Sequence, residues 1–327
     1  MSYDHDSPGR AIFEQLQRVL EQQAQDGGFG SLDEARDAMQ AQLEQASHRA
    51  EEDFEGLTPG QMHPLLYHPF ESEHLVTFGG RLEACPQTAA TRLLKVIAEH
   101  AGEKGIKLTP KGNFPLKVVH DAYGRLEAEG LLCDRGPPPG YRVNNEDDFP
   151  ELITFHNAAE LGRLLRKANG RIKPTRAVER PLARGEWGVL YRHLLYSYAR
   201  KFNWGYLDRF PELNIIQTGL AFTLYLLHRY GGEPRPASFY ADAFLRAFPQ
   251  AIDEMAADPL PLSGEPEDGV RYTWYLRTIV RTLMPLGLVA IDRGANDAGD
   301  GSMRPGLSLK PRIRRTDLCG QVVRWHT

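Results

Sequence analysis

The chain has 327 residues, of which 41% are hydrophobic and 25% charged, with a formal net charge of −4. Those proportions describe an ordinary globular protein with room for two or three domains. No apolar run has the length needed to cross a bilayer, and residues 1–6 carry neither the basic nor the apolar region of a signal peptide, so the expectation is a cytoplasmic chain with no membrane partner.

The net charge conceals an asymmetry. Residues 1–80 hold 15 Asp/Glu against 4 Arg, a net of −11, which leaves +7 on residues 81–327. An acidic head on a basic body can bind a basic partner, fold back over the basic surface, or be only a solvated helical face. Arg outnumbers Lys by 30 to 9, a bias that fits a GC-rich bacterial genome. Cys85, Cys133 and Cys319 are scattered and odd in number, which reads as reduced thiols.

In chain order, Ser7-Pro8 opens a first helix, with Ile12, Leu16 and Leu20 at helical spacing. Ser31 and Glu34 make a capping box for a second, whose face carries Leu32, Ala35, Met39, Leu43 and Ala46. Thr58 to Gln61 starts a third by the same logic, so residues 1–80 are expected as an acidic helical module. Residues 81–147 are expected as a first unit. It comprises a helix with Leu93, Leu94 and Ile97 on one face, a short strand at 105–109, a helix capped by Asn113, a stop at Gly130 and a hairpin over 131–143. Residues 148–210 are expected as a second: a helix over 152–166, a hairpin, and a helix over 187–202. The hairpin turns at Asn169-Gly170, a pair that tolerates the two positive φ angles of a type I′ turn. Residues 211–327 give a third, with helices over 215–229, 239–248 and 272–284. A hairpin follows whose arms are 287–291 and 307–312, joined by a Gly/Asp-rich loop.

Catalytic signatures are sparse. The sequence has no Gly-rich phosphate loop, no His-Glu-x-x-His, no Cys-x-x-Cys and no Gly-x-Ser-x-Gly. His63, His68 and His74 fall within twelve residues but lack a supporting carboxylate or Cys at ligand spacing, so no metal and no cofactor are expected. His156 and Glu160 lie one helical turn apart, as a simple side-chain pair would. The acids at 51–53 and 146–148 read as helix-start charge. The aromatic belt from Trp187 to Phe210, interleaved with Arg192, Arg200 and Lys201, could stack unpaired bases, but its helical spacing favours a core role.

The basic residues carry more weight. Arg163, Arg166, Lys167, Arg171, Lys173 and Arg176 surround the Asn-Gly hairpin, and Arg180 and Arg184 follow, against the single acid Glu179. Lys107, Lys111 and Lys117 surround the short strand and the next helix, and Lys310, Arg312, Arg314 and Arg315 lie at the C-terminal hairpin. Projecting cations of this kind contact phosphates and set affinity without reading sequence. A charged hairpin can equally be a solubility device.

The helix-to-hairpin layouts at 161–176 and 214–312 resemble the winged-helix superfamily at the level of fold, over about half the chain. The expected class is mainly α with small β-hairpins, as tandem divergent winged-helix-like units behind the N-terminal helical module. The resemblance implies DNA binding, with a helix in the major groove and the wing on the backbone, or protein interaction, since fold alone does not fix function. The leading expectation is a non-enzymatic DNA-binding protein, regulatory or linked to mobile elements or defence. The acidic head would serve a protein partner, homodimerisation or autoinhibition. A protein scaffold built from the same modules stands as the alternative, with an enzyme of unrecognised type behind both.

Overall fold

The computed structural model describes residues 32–132, 142–208, 210–258, 264–292 and 311–326. The chain is mainly helical, with short antiparallel strands in three small sheets among the described residues. It divides into two compact units, 1–64 and 65–327, where the sequence places the first boundary at 80/81.

In the first unit, α1 spans Leu32–Ser47 and α2 begins at Pro59 and runs to Tyr67. The expected capping box is made: Gln61 donates its backbone N–H to Thr58 Oγ1 at 3.2 Å, and Thr58 donates to Gln61 Oε1 at 3.0 Å. Two otherwise orphaned donors are thereby satisfied. The helix expected after Ser7-Pro8 and the Ser31 cap lie outside the described residues.

The second unit opens on β1 (Val76–Phe78). Helix α3 (Ala89–Ala101) follows, capped reciprocally by Thr88 and Thr91 and burying Leu93, Leu94, Val96 and Ile97. Then come β2 (Ile106–Lys107), α4 (Leu116–Ala128), a 3-10 turn at Glu146–Asp148, and α5 (Pro150–Leu161). Asn113 does not cap α4. It closes a turn instead, accepting from and donating to Thr109, while Pro115 takes the N-cap position. A hairpin of β3 (Leu165–Ala168) and β4 (Arg171–Pro174) comes next, with Asn169 at φ 52° and Gly170 at φ 69°. These are the two positive angles that Asn-Gly accommodates.

Strand β2 pairs with β4, Ile106 opposite Ile172 and Lys107 opposite Arg171, so the sheet order is β2-β4-β3. This pairing runs across the expected boundary at 147/148: residues 89–174 share one sheet, with two helices, α4 and α5, between its first strand and its hairpin. Most of the hairpin expected over 131–143 lies outside the described residues. Leu131, Leu132, Arg142 and Val143 belong to no strand.

The chain continues through α6 (Arg176–Arg184), α7 (Trp187–Tyr196), a π-helical turn at Ser197–Lys201 and α8 (Asn214–Thr218). The later half repeats the earlier layout: α9 (Leu220–Tyr230), β5 (Arg235–Pro236), α10 (Ala237–Ala247), α11 (Gln250–Ala257), then α12 (Pro266–Trp274), which passes into a π-helix over Tyr275–Leu283. Strands β6 (Val289–Asp292) and β7 (Arg312–Arg315) complete a sheet of order β5-β7-β6. The return arm is therefore 312–315, not 307–312. Last come α13 (Asp317–Val322) and β8 (Val323–Trp325), which pairs with β1 and ties the two ends of this unit together.

Two joints hold the halves in register. Gly162, at the end of α5, faces Ser197 so closely that an added Cβ would stand 2.0 Å from its Oγ. Arg277, 1% exposed, clamps the segment before α8. Its Nη2 and Nε donate to the two oxygens of buried Asp208 at 2.7 and 3.0 Å, and its Nη1 donates to the Glu212 carbonyl at 2.8 Å. Arg281 adds a second ion pair to Asp208 at 2.8 Å. Half of the aromatic belt is core: Tyr191, Tyr198, Phe202 and Trp204 are buried, Trp187, Tyr196 and Phe210 are half-buried, and Tyr206 is 70% exposed.

Candidate nucleic-acid interface

Side chains alternate faces along a strand, and directly paired residues share a face. Ile106, Ile172, Leu165 and Pro174 are buried and point to the core beneath the first sheet. The opposite face then receives Lys107, Arg171, Lys173 and Arg166, with Ala168 the remaining member. Three strands thus gather four cations from 66 residues of separation onto one small surface.

Glycine makes the approach of β2 to β4 feasible. Gly105 sits at φ 76°, and a Cβ there would come within 3.0 Å of the Ile172 carbonyl oxygen. Its own carbonyl accepts from Arg171 Nη1 at 2.7 Å, which braces that guanidinium over the sheet without neutralising it.

The remaining cations expected here flank this surface. Lys167, opposite Ile172, is on the other face of the sheet near the turn, exposed, its ammonium 3.2 Å from where a Cβ on Gly112 would lie, beside exposed Lys111. At the base, Thr175 closes the hairpin by donating its hydroxyl to the Arg163 carbonyl at 2.9 Å, and Arg163 and Arg176 are exposed on either side. Arg180 and Arg184 continue along α6 at one-turn spacing, exposed. Among the described residues, none of Lys107, Lys111, Arg163, Arg166, Lys167, Arg171, Lys173 and Arg176 forms an ion pair. Eight uncompensated cations within one strand–hairpin region form a concentrated positive field.

The other expected positions fall elsewhere. Lys117 lines an open depression with Glu99, His100, Asp121 and Arg125. Its surroundings are mixed: burial pushes the Asp121 carboxyl up, but hydrogen bonds from His100 and Arg125 outweigh this and hold it below the usual value. Arg312, Arg314 and Arg315 lie on the second sheet. There Arg312 stands opposite Asp292 and donates to the Pro234 carbonyl at 2.5 Å. Lys310 lies outside the described residues.

Sequence reasoning placed His156 beside Glu160 but missed its closer partner. His156 Nδ1 meets Glu146 Oε1 at 2.6 Å, and the other Glu146 oxygen accepts the Phe114 N–H at 2.6 Å. Both residues are buried, and the imidazole lies against the Phe114 ring. The group fastens α5 to the start of α4. Among the described residues no cluster of three or more His, Cys, Asp or Glu has metal-holding geometry, and His63, His68 and His74 are all exposed. No helix among the described residues is long and apolar enough to cross a membrane. Burial pushes the Cys319 thiol up to about 12, which leaves it unreactive.

The fold is thus a mainly α chain with two three-stranded sheets of like order, one of which presents an unpaired cationic face. Residues 87–186 match the sequence model of the Y4jL N-terminal domain family. The matched stretch holds all three strands of the first sheet and is less than a third of the chain. No curated protein and no solved structure matches the chain.

Proposed function

We propose that this chain is a non-enzymatic DNA-binding protein built from two winged-helix-like units, in which the wing of the first contacts the phosphate backbone. The observation that carries the reading is the outer face of the first sheet: Lys107, Arg166, Arg171 and Lys173 side by side, with no carboxylate partner among the described residues. Helices between the first strand and the hairpin, two in the earlier half and three in the later, support the winged-helix assignment. Regulatory, mobile-element and defence roles all remain compatible with it.

A second reading, a protein scaffold whose wing docks on an acidic protein surface, is favoured by one observation. The helix just before each hairpin is buried within the chain. The acidic segment 1–80 would serve a partner or a second copy under either reading.

Anisotropy of a labelled mixed-sequence duplex at low salt tests the proposal. The full chain should bind at roughly micromolar concentration, and a variant with Lys107, Arg166, Arg171 and Lys173 all changed to Ala should lose at least about tenfold. Absence of binding by the full chain contradicts the proposal. Binding that the variant retains in full moves the contact away from the wing.

A further inference from the structure

Resting on the DNA-binding reading, we propose that the first sheet recognises duplex DNA of any sequence, through phosphate geometry alone, because the chain has buried the helices that would read bases. A helix–turn–helix protein reads sequence with exposed side chains on a helix laid in the major groove. The helix in that position in the earlier half of the second unit is α5. Its residues Leu152, Thr154, Phe155, His156, Ala158 and Ala159 are buried, and it is covered by the π-helical turns at 197–201 and 275–283.

What α5 leaves accessible is a narrow strip without a cation, partly engaged within the chain. The Asn157 amide already donates to the Ile153 carbonyl at 2.7 Å, the Glu160 carboxyl lies 3.7 Å from His156 Nε2, and Leu161 is apolar. The equivalent helix of the later half, 266–283, is no better placed. Arg277, Thr278 and Thr282 are buried, while Arg271 is held by Asp242, Glu267 and Asp268, and Arg281 by Asp208. Contacts are thereby restricted to the cationic sheet face, and phosphate contacts carry no sequence information.

The same surface favours duplex over single strands. Readers of single strands stack bases on aromatic rings. Residues 104–113 and 163–176, which form the sheet face and its rims, contain no aromatic side chain. Of the eight rings in the aromatic belt that could have supplied a platform, four are buried in the core, three are half-buried and only Tyr206 is exposed.

The test is competition against a labelled duplex bound to the full chain, using unrelated duplexes of equal length and the corresponding single strands. Unrelated duplexes should compete within about threefold of one another, far from the thousandfold or greater discrimination of sequence-specific proteins. Single strands at equal nucleotide concentration should compete several-fold less well. A variant with Asn157→Ala and Glu160→Gln should leave every ratio unchanged. One sequence competing about a hundredfold better than the rest would overturn the inference while leaving the wing proposal standing. So would single strands outcompeting duplex, or altered ratios in the α5 variant. Failure of the full chain to bind any duplex at low salt removes the wing proposal itself, and this inference with it.

Discussion

Gly105 and Arg277 show how single positions govern the surface and its support. At Gly105 the backbone holds φ 76° and passes within contact of the Ile172 carbonyl. Gly105→Ala should destabilise the second unit by on the order of 1–3 kcal/mol through left-handed strain, with a further contribution from the close contact. Urea unfolding measures this, and an unchanged midpoint would mean that β2 and β4 do not approach as described. Arg277 is fully enclosed, so Arg277→Ala leaves the buried Asp208 carboxylate with Arg281 as its remaining ion pair and the Glu212 carbonyl without its donor, and should cost on the order of 1–3 kcal/mol. Arg277→Lys should recover only part of that, since an ammonium cannot match the bidentate fork. His193 adds a pH dependence. Burial, reinforced by neighbouring Arg192, holds its imidazole below the ordinary value of 6.5. The folded state therefore binds its proton less readily than the unfolded chain, and this contribution is present above pH 6.5 and lost as pH falls through the folded value. Urea midpoints should drop between pH 7.5 and pH 5.5, and His193→Gln should drop less. Asn169-Gly170 was legible in the sequence because turn chemistry is local. The Asp208–Arg277 pair was not, because 69 residues separate its members and either alone reads as a surface charge.

At the scale of elements, the hairpin was legible and its sheet was not. Strands β3 and β4 are bounded by a strong turn signal, and β2 falls within the short strand expected at 105–109, but a two-residue strand carries no pattern that names its pairing partner. Its pairing partner lies beyond α4 and α5, so the units at 81–147 and 148–210 read as separate. Helix α5 was likewise legible as a helix but not as a buried one, although its composition bears the trace: Leu152, Phe155, Ala158 and Ala159 are accompanied by few charges, and apolar positions run around most of its circumference. The Glu146–His156 pair supplies the polar fastening for that burial. Glu146→Ala should cost about 1–3 kcal/mol by leaving the Phe114 N–H and the imidazole without their acceptor. It should leave DNA affinity unchanged under native conditions, which separates a structural role from one at the interface.

Across the whole molecule, the second unit repeats a helix, strand, helices and hairpin layout, and it uses its two halves differently. One hairpin sheet keeps its cations unpaired, while the other sets Arg312 against Asp292 and ties it to a backbone carbonyl. The family match ends at residue 186, just short of the α7 and π-helical segment that covers α5. A fragment of 87–186 should therefore unfold at lower urea than one extended to 208, and should bind more of a hydrophobic dye through the uncovered face of α5. Equal stability of the two fragments would show that α5 needs no such cover.

The most direct measurement is the dependence of duplex affinity on salt for the full chain and for the variant lacking the Lys107, Arg166, Arg171 and Lys173 charges. Each phosphate neutralised contributes about −0.9 to the slope of log K against log salt, so removing four cations should flatten it by about 3 to 4. Parallel slopes for the two proteins would contradict phosphate binding by the first sheet.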